Sequence, residues 1–325
     1  MTDTARPRRP LTGAFMASPG PATWREALTL ALKGFLMGVA DIIPGVSGGT
    51  MAFITGIYEQ LVAAIRSFDL AFVCRLARLD LAAALAGVHL RFLLPLLCGI
   101  GLALLSMARL MHYLLAHHPL PVWSLFFGLI AASIVVVVRW VRPLDAPNLL
   151  LLVAGVAVSY VVVGLIPMRT PETMWFLFLC GMVAICAMIL PGISGAFLLL
   201  ILGKYEYVTG ALRSPLAPDS FQVLLVFAAG CLVGITGFSR LLGYLLVRHH
   251  ARTLAVLAGF MIGAMRRIWP WKEVVTLPSA AGPVEDAVNI LPAALDGTFF
   301  LAVGFMLAGA VAVLLIEAAA GRKRT

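Results

Sequence analysis

Apolar residues run along this chain in long blocks, with the polar and charged positions gathered between them. A helix needs roughly 20 apolar residues to span hydrocarbon, and six blocks reach or approach that length. They lie at about 92–116, 121–140, 147–167, 221–247, 253–268 and 290–317, and each predicts a transmembrane helix. Two further apolar stretches, 24–65 and 172–212, are each broken in the middle. The breaks read Pro44-Gly45-Val46-Ser47-Gly48 and Pro191-Gly192-Ile193-Ser194-Gly195. Proline has no amide hydrogen, glycine tolerates left-handed dihedrals, and serine is a preferred helix N-cap. Each stretch therefore predicts two half-helices, with Pro44, Gly45, Pro191 and Gly192 forming the hairpin turns.

Composition sharpens this picture. Of 325 residues, 62% are apolar and 12% charged, with a mean hydropathy of +1.01. A soluble domain is about a quarter charged, and this chain has too little polar material to cover a folded surface. That excludes a cytosolic enzyme, a nucleic-acid binder and a disordered scaffold. Cys74, Cys98, Cys180, Cys186 and Cys231 stand singly, with no metal-ligand spacing, and read as small apolar residues. No metal or cofactor is expected. Residues 1–23 are polar and rich in Pro, and no apolar signal core follows them. They predict a disordered cytoplasmic tail, matched by a short basic tail at 319–325.

The chain carries an internal repeat. The two breaks stand 147 residues apart, and Gly56-Ile57-Tyr58-Glu59 and Gly203-Lys204-Tyr205-Glu206 share that offset. Farther on, Gly99, Arg109-Leu110 and Tyr113-Leu114-Leu115 match Gly230, Arg240-Leu241 and Tyr244-Leu245-Leu246 at an offset of 131. The first half thus holds sixteen extra residues, assigned to the polar stretch 66–91.

Charge orients the halves. If each broken stretch returns to the face it entered from, three crossings remain per half. Sixteen Lys and Arg then fall on the N-terminal side and six (Arg169, Lys204, Arg213, Arg266, Arg267, Lys272) on the other. If the stretches cross fully, the same residues divide eleven to eleven. The positive-inside rule favours the first arrangement, with both termini cytoplasmic. The expected fold is an all-α polytopic membrane protein with an inverted-topology repeat. The first repeat, 24–168, and the second, 169–318, each have a re-entrant hairpin and three transmembrane helices. Such symmetry around broken helices belongs to transporters.

A turn within the membrane survives only against protein or a wet cavity. Half-helices beginning at Ser47 and Ser194 would aim free amides and a positive dipole end at that cavity, an arrangement suited to an anion. Ser47, Gly48, Gly49, Thr50, Ser194 and Gly195 are the candidate phosphate contacts. Arg109 and Arg240 join them, because arginine inside a membrane helix is costly and its fork matches phosphate. The competing reading is that both arginines snorkel to the interface. Asp41, three residues before Pro44, faces Met188 in the second copy, so the first hairpin is the more polar. Low dielectric disfavours a charged carboxylate, which makes Asp41 a candidate for carrying a coupling proton. Glu59 and Glu206 are proton-site candidates at the hairpin exits, or interfacial residues. Lys33 could pair with Asp41 or Glu59.

The stretch Gly38-Val39-Ala40-Asp41-Ile42-Ile43-Pro44-Gly45-Val46-Ser47-Gly48-Gly49-Thr50, with Leu190-Pro191-Gly192-Ile193-Ser194-Gly195, closely resembles a bacterial membrane family. Long a domain of unknown function, that family is now described as polyprenyl-phosphate transporters. The resemblance covers roughly 25–317. It implies a non-enzymatic flippase of the cytoplasmic membrane whose partner is undecaprenyl phosphate, the lipid carrier of cell-wall precursors. The lipid would return from the outer to the inner leaflet. The carry-over falls on the hairpin motifs, while a phosphate role for Arg109 and Arg240 comes from the repeat alone.

Two rivals remain at this level. A transporter or channel for a small soluble anion could use the same helix ends. An intramembrane serine protease could use the two G-x-S-G patterns at Ser47 and Ser194, but its nucleophile needs a base within reach. All six histidines (His89, His112, His117, His118, His249, His250) lie near segment ends or in loops. A lipid phosphatase finds no paired His and Arg motif here.

Overall fold

A computed structural model describes residues 11–43, 46–165, 170–279, 282–292 and 294–321. Pro44 and Gly45 of the first turn lie outside the described residues. The chain is mostly helical. The first element among the described residues is α1 (Leu11–Ala17), inside the stretch that reads as a disordered tail. Ala14 and Ser18 are buried, and Ser18 Oγ accepts from Arg91 N–H. The first broken stretch forms α2 (Trp24–Ile42), α3 (Gly48–Ile54) and α4 (Tyr58–Arg66). The polar stretch that follows holds two short helices, α5 (Leu70–Ala77) and α6 (Leu81–Gly87). Asp69 and Asp80 cap them by accepting from Phe72 and Ala83 N–H. Then come α7 (Leu90–His117), α8 (Pro119–Trp140) and α9 (Ala146–Val162).

The same order recurs. The second broken stretch gives α10 (Met174–Ile189), α11 (Gly195–Ile201) and α12 (Tyr205–Arg213), followed by α13 (Pro218–Arg248) and α14 (His250–Ala264). An antiparallel hairpin, β1 (Lys272–Ser279) with β2 (Gly282–Asn289), comes next in place of any helix. The last element, α15 (Gly297–Gly321), follows Asp296, whose carboxylate accepts from Thr298 Oγ1 and Phe299 N–H. Those two bonds hold its carboxyl below the usual range.

Among the described residues α7, α8, α13 and α15 are long and apolar enough to cross a membrane, so the protein is multi-pass. The helices α9, α10 and α14 are equally apolar but run only 17, 16 and 15 residues. At 1.5 Å per residue the shortest spans about 23 Å, less than the hydrocarbon thickness. The bent pair α11 and α12 meets at 109°.

Packing is pairwise: α2 lies on α7, α10 on α13, α8 on α15 and α9 on α14. Glycine allows the close approaches. A Cβ on Gly99 would collide with Ala31 O, and one on Gly230 with Phe178 O. Likewise Gly128 faces Met306 O, and Gly259 faces Leu152 O. Gly99 and Gly230, like Gly128 and Gly259, stand 131 residues apart, the offset of the sequence match. Lipid gives little hydrophobic drive between helices, so backbone contact of this kind carries association.

Candidate functional site

The broken stretches meet in the buried centre, among Ile43, Val46, Phe53, Tyr58, Ile189, Leu257 and Met261. Serine ends each turn as expected. Ser47 Oγ accepts from Gly49 N–H at 3.2 Å and Ser194 Oγ from Phe197 N–H at 3.5 Å. The following turns need a left-handed residue, and Gly56 (φ 70°) and Gly203 (φ 62°) supply it at matching positions.

Among the described residues, three hydrogen bonds join one turn to the other. Thr50 Oγ1, fully buried, accepts from Gly192 N–H at 2.9 Å. Ser47 Oγ donates to Leu190 O at 3.3 Å, and Tyr58 OH to Ile189 O at 3.1 Å. Gly49 lies so close to the α10 end that a Cβ would sit 2.8 Å from Ile189 O. Ser47, Gly49, Thr50 and Gly192 therefore converge, although they come from opposite halves of the chain.

The two half-helix N-termini differ. At α3 the first three amides are occupied: Gly48 N–H donates to Asp41 Oδ1 at 2.6 Å, Gly49 N–H to Ser47 Oγ, and Thr50 N–H to Ser47 O at 2.9 Å. Asp41 is exposed at the end of α2, and its carboxylate faces the N-terminus of α3. At α11, Phe197 and Leu198 N–H bond back to Ser194, while Gly195 and Ala196 N–H have no such partner among the described residues.

The C-terminal ends of the half-helices carry lysines. Lys33 Nζ donates to Thr55 O, the C-cap of α3, at 2.7 Å. Lys204, only 2% exposed, donates to Thr170 O at 3.2 Å, and Thr170 Oγ1 donates to Leu202 O, the C-cap of α11. A cation there complements the negative end of the helix dipole. The sequence places Lys204 in the repeat and among the outer charges, without disclosing this role. The signal available was a lysine within an apolar run, four residues after Leu200. Tyr58 was likewise noted in the repeat without its part in joining the turns.

Lys33 also lines a cavity of about 730 Å³ with Arg25, Glu26, Gln60 and His89. Burial pushes the His89 imidazole below its ordinary value. Glu59 Oε1 lies 2.9 Å from His250 Nε2 at the start of α14, and Glu206 is exposed. Arg109 and Arg240 are exposed on α7 and α13. Among the described residues neither bonds to a hairpin residue, so the structure does not bring them to the turns. No histidine is a hydrogen-bond partner of Ser47 or Ser194 among the described residues, which removes the support for a serine nucleophile.

Against known proteins, residues 37–283 match a family described as undecaprenyl phosphate translocase-like. A polyprenyl-phosphate transporter of Vibrio cholerae is 41% identical over 249 residues, covering 77% of this chain and 80% of that protein. A polyprenyl-phosphate transporter of Staphylococcus aureus is 31% identical over 265 residues, covering 74% and 85%. No solved structure matches the chain.

Proposed function

Because the chain belongs to the undecaprenyl phosphate translocase-like family, we propose that it carries undecaprenyl phosphate from the outer to the inner leaflet of the bacterial cytoplasmic membrane, returning the lipid for reuse. A phosphate head cannot cross hydrocarbon unaided, since burying an unpaired charge costs far more than thermal energy. The observation that carries the reading is the junction of the two turns, with Thr50, Ser47 and Tyr58 bonded across it. The broken stretches act as re-entrant hairpins of an inverted repeat, supported by the recurring element order and the matched glycine contacts. The head group sits at the junction, reaching the Gly195 and Ala196 amides on one side and the Gly48 amide on the other. The isoprenoid tail stays in lipid.

Asp41 gates this seat. While ionised and bonded to Gly48 N–H it excludes a second anion; protonated, it releases that amide. Proton uptake by Asp41 thereby couples to phosphate entry. Arg109 and Arg240 meet the head group on its way to and from the junction. Glu59, paired with His250, and Glu206 serve as exit sites for the proton.

Transport of labelled undecaprenyl phosphate in proteoliposomes tests this. Wild type is expected to move the lipid between leaflets, faster with a proton gradient. Asp41→Asn is expected to lose the response to the gradient, and Arg109→Ala and Arg240→Ala to slow movement. Equal movement in both arginine variants would make these residues interfacial anchors. Absence of lipid movement in folded wild type, with flux of a small anion instead, would overturn the lipid reading.

A further inference from the structure

A second cavity, of about 710 Å³, lies where the ends of α9 and α14 approach β2. Its wall is of two kinds: Val156, Val163, Ile262 and Met265 are apolar, while Arg266 and Asn289 bring polar groups. The Arg266 guanidinium lies 4.4 Å above the Tyr160 ring, and its Nη1 donates to Tyr160 O at 3.1 Å. It lies against Gly164, where an added side chain would have to displace it. Asn289 Nδ2 donates to Arg266 O at 2.7 Å and ties this backbone to β2. The guanidinium is therefore held in one place. Arginine has five N–H donors, and among the described residues only one of Arg266's is engaged. Its neighbour Arg267 stacks 4.8 Å over Phe197 of α11, so the cavity is in direct touch with the second broken stretch.

A clamped guanidinium loses little freedom on binding and presents a fork that matches phosphate oxygens. An apolar wall beside it suits the first carbons of an attached chain. We propose that this cavity is a binding site for a phosphate monoester dianion, with Arg266 as its anchoring cation, and that it is a station for the head group on the face opposite Lys33. The station rests on the transport reading; the site as such does not. Arg266 and the Lys33 cavity fall on opposite faces when the charge-derived topology is followed, so the head group would load at Arg266 and pass Phe197 to reach the turns.

The test uses the full chain in nanodiscs of zwitterionic lipid, titrated with a fluorescent short-chain polyprenyl phosphate. Arg266→Gln is expected to weaken binding about tenfold or more, and Arg266→Lys less, because lysine keeps the charge and loses the fork. The corresponding polyprenyl alcohol should not compete. Competition by inorganic phosphate only at far higher concentration identifies the lipid as the ligand; equal competition identifies free phosphate at the same site. Unchanged binding in Arg266→Gln overturns the proposal. A photoreactive polyprenyl phosphate on wild type needs no variant: label is expected in the segments around Tyr160 and Arg266, and label only elsewhere overturns the site. Lipid transport by a wild type that is labelled only elsewhere would leave the transport reading standing. Label at these segments with no transport would keep the site and overturn that reading.

Discussion

Thr50 is the residue on which the junction turns. Its hydroxyl satisfies Gly192 N–H at full burial, where no water can replace it. Thr50→Val keeps the shape and leaves that amide unpaired, which should cost about 1–3 kcal/mol. Thr50→Ser should cost much less. Thermal unfolding in detergent separates the two, and equal losses would mean that the methyl, not the hydroxyl, matters. Gly49→Ala presses a methyl against Ile189 O and should reduce transport more than it reduces stability. His89 gives a pH dependence with a fixed sign. Its imidazole is held below the ordinary 6.5, so the folded protein prefers it neutral. The stability it contributes is present above that ordinary value and is lost as pH falls through the lowered one. Unfolding temperature should therefore drop on acidification, and by less in His89→Gln.

At the scale of elements, the helix pairs rest on backbone contact. Gly99→Ala should force α7 from α2 and Gly230→Ala should force α13 from α10, while Gly101→Ala in the same helix as Gly99 meets open space. Comparable losses at the two matched positions, and none at Gly101, are expected from thermal unfolding. Gly56→Ala isolates a different term. A Cβ there meets nothing, so its cost is the left-handed backbone alone, about 1–2 kcal/mol. The short helices α5 and α6 follow from Asp69 and Asp80 acting as caps. Phe68, Leu70, Val73 and Leu76 stay exposed there beside Arg75 and Arg78, the pattern of a segment lying at a membrane surface.

For the whole molecule, the proposed inverted arrangement of the two halves makes a topological prediction. In a cysteine-free background, Arg142→Cys should be shielded from an impermeant thiol reagent added outside cells, while Arg213→Cys should react. Reaction at both, or the reverse pattern, would refute the orientation. The pairing of α8 with α15 and α9 with α14 joins one half to the other. A chain cut between the halves should therefore remain associated, as co-purification of the two pieces would reveal.

Much of this was legible in one dimension. Crossing a membrane requires long apolar runs, and turns there require Pro, Gly and Ser, so the helices, both breaks and the repeat follow from local chemistry. The caps at Ser47 and Ser194 are local as well, because each acts within three residues of itself. What spacing did not disclose depends on neighbours far along the chain. Thr50 meets Gly192 across 142 residues, Tyr58 meets Ile189 across 131, and Arg266 meets Tyr160 across 106. Asp41 was visible as an acid in an apolar run, but its hold on the Gly48 amide needed the turn to be folded. Hydrogen bonds and guanidinium stacking are short-ranged and directional, so only the packed helices decide which polar groups are satisfied and which stay open to a ligand.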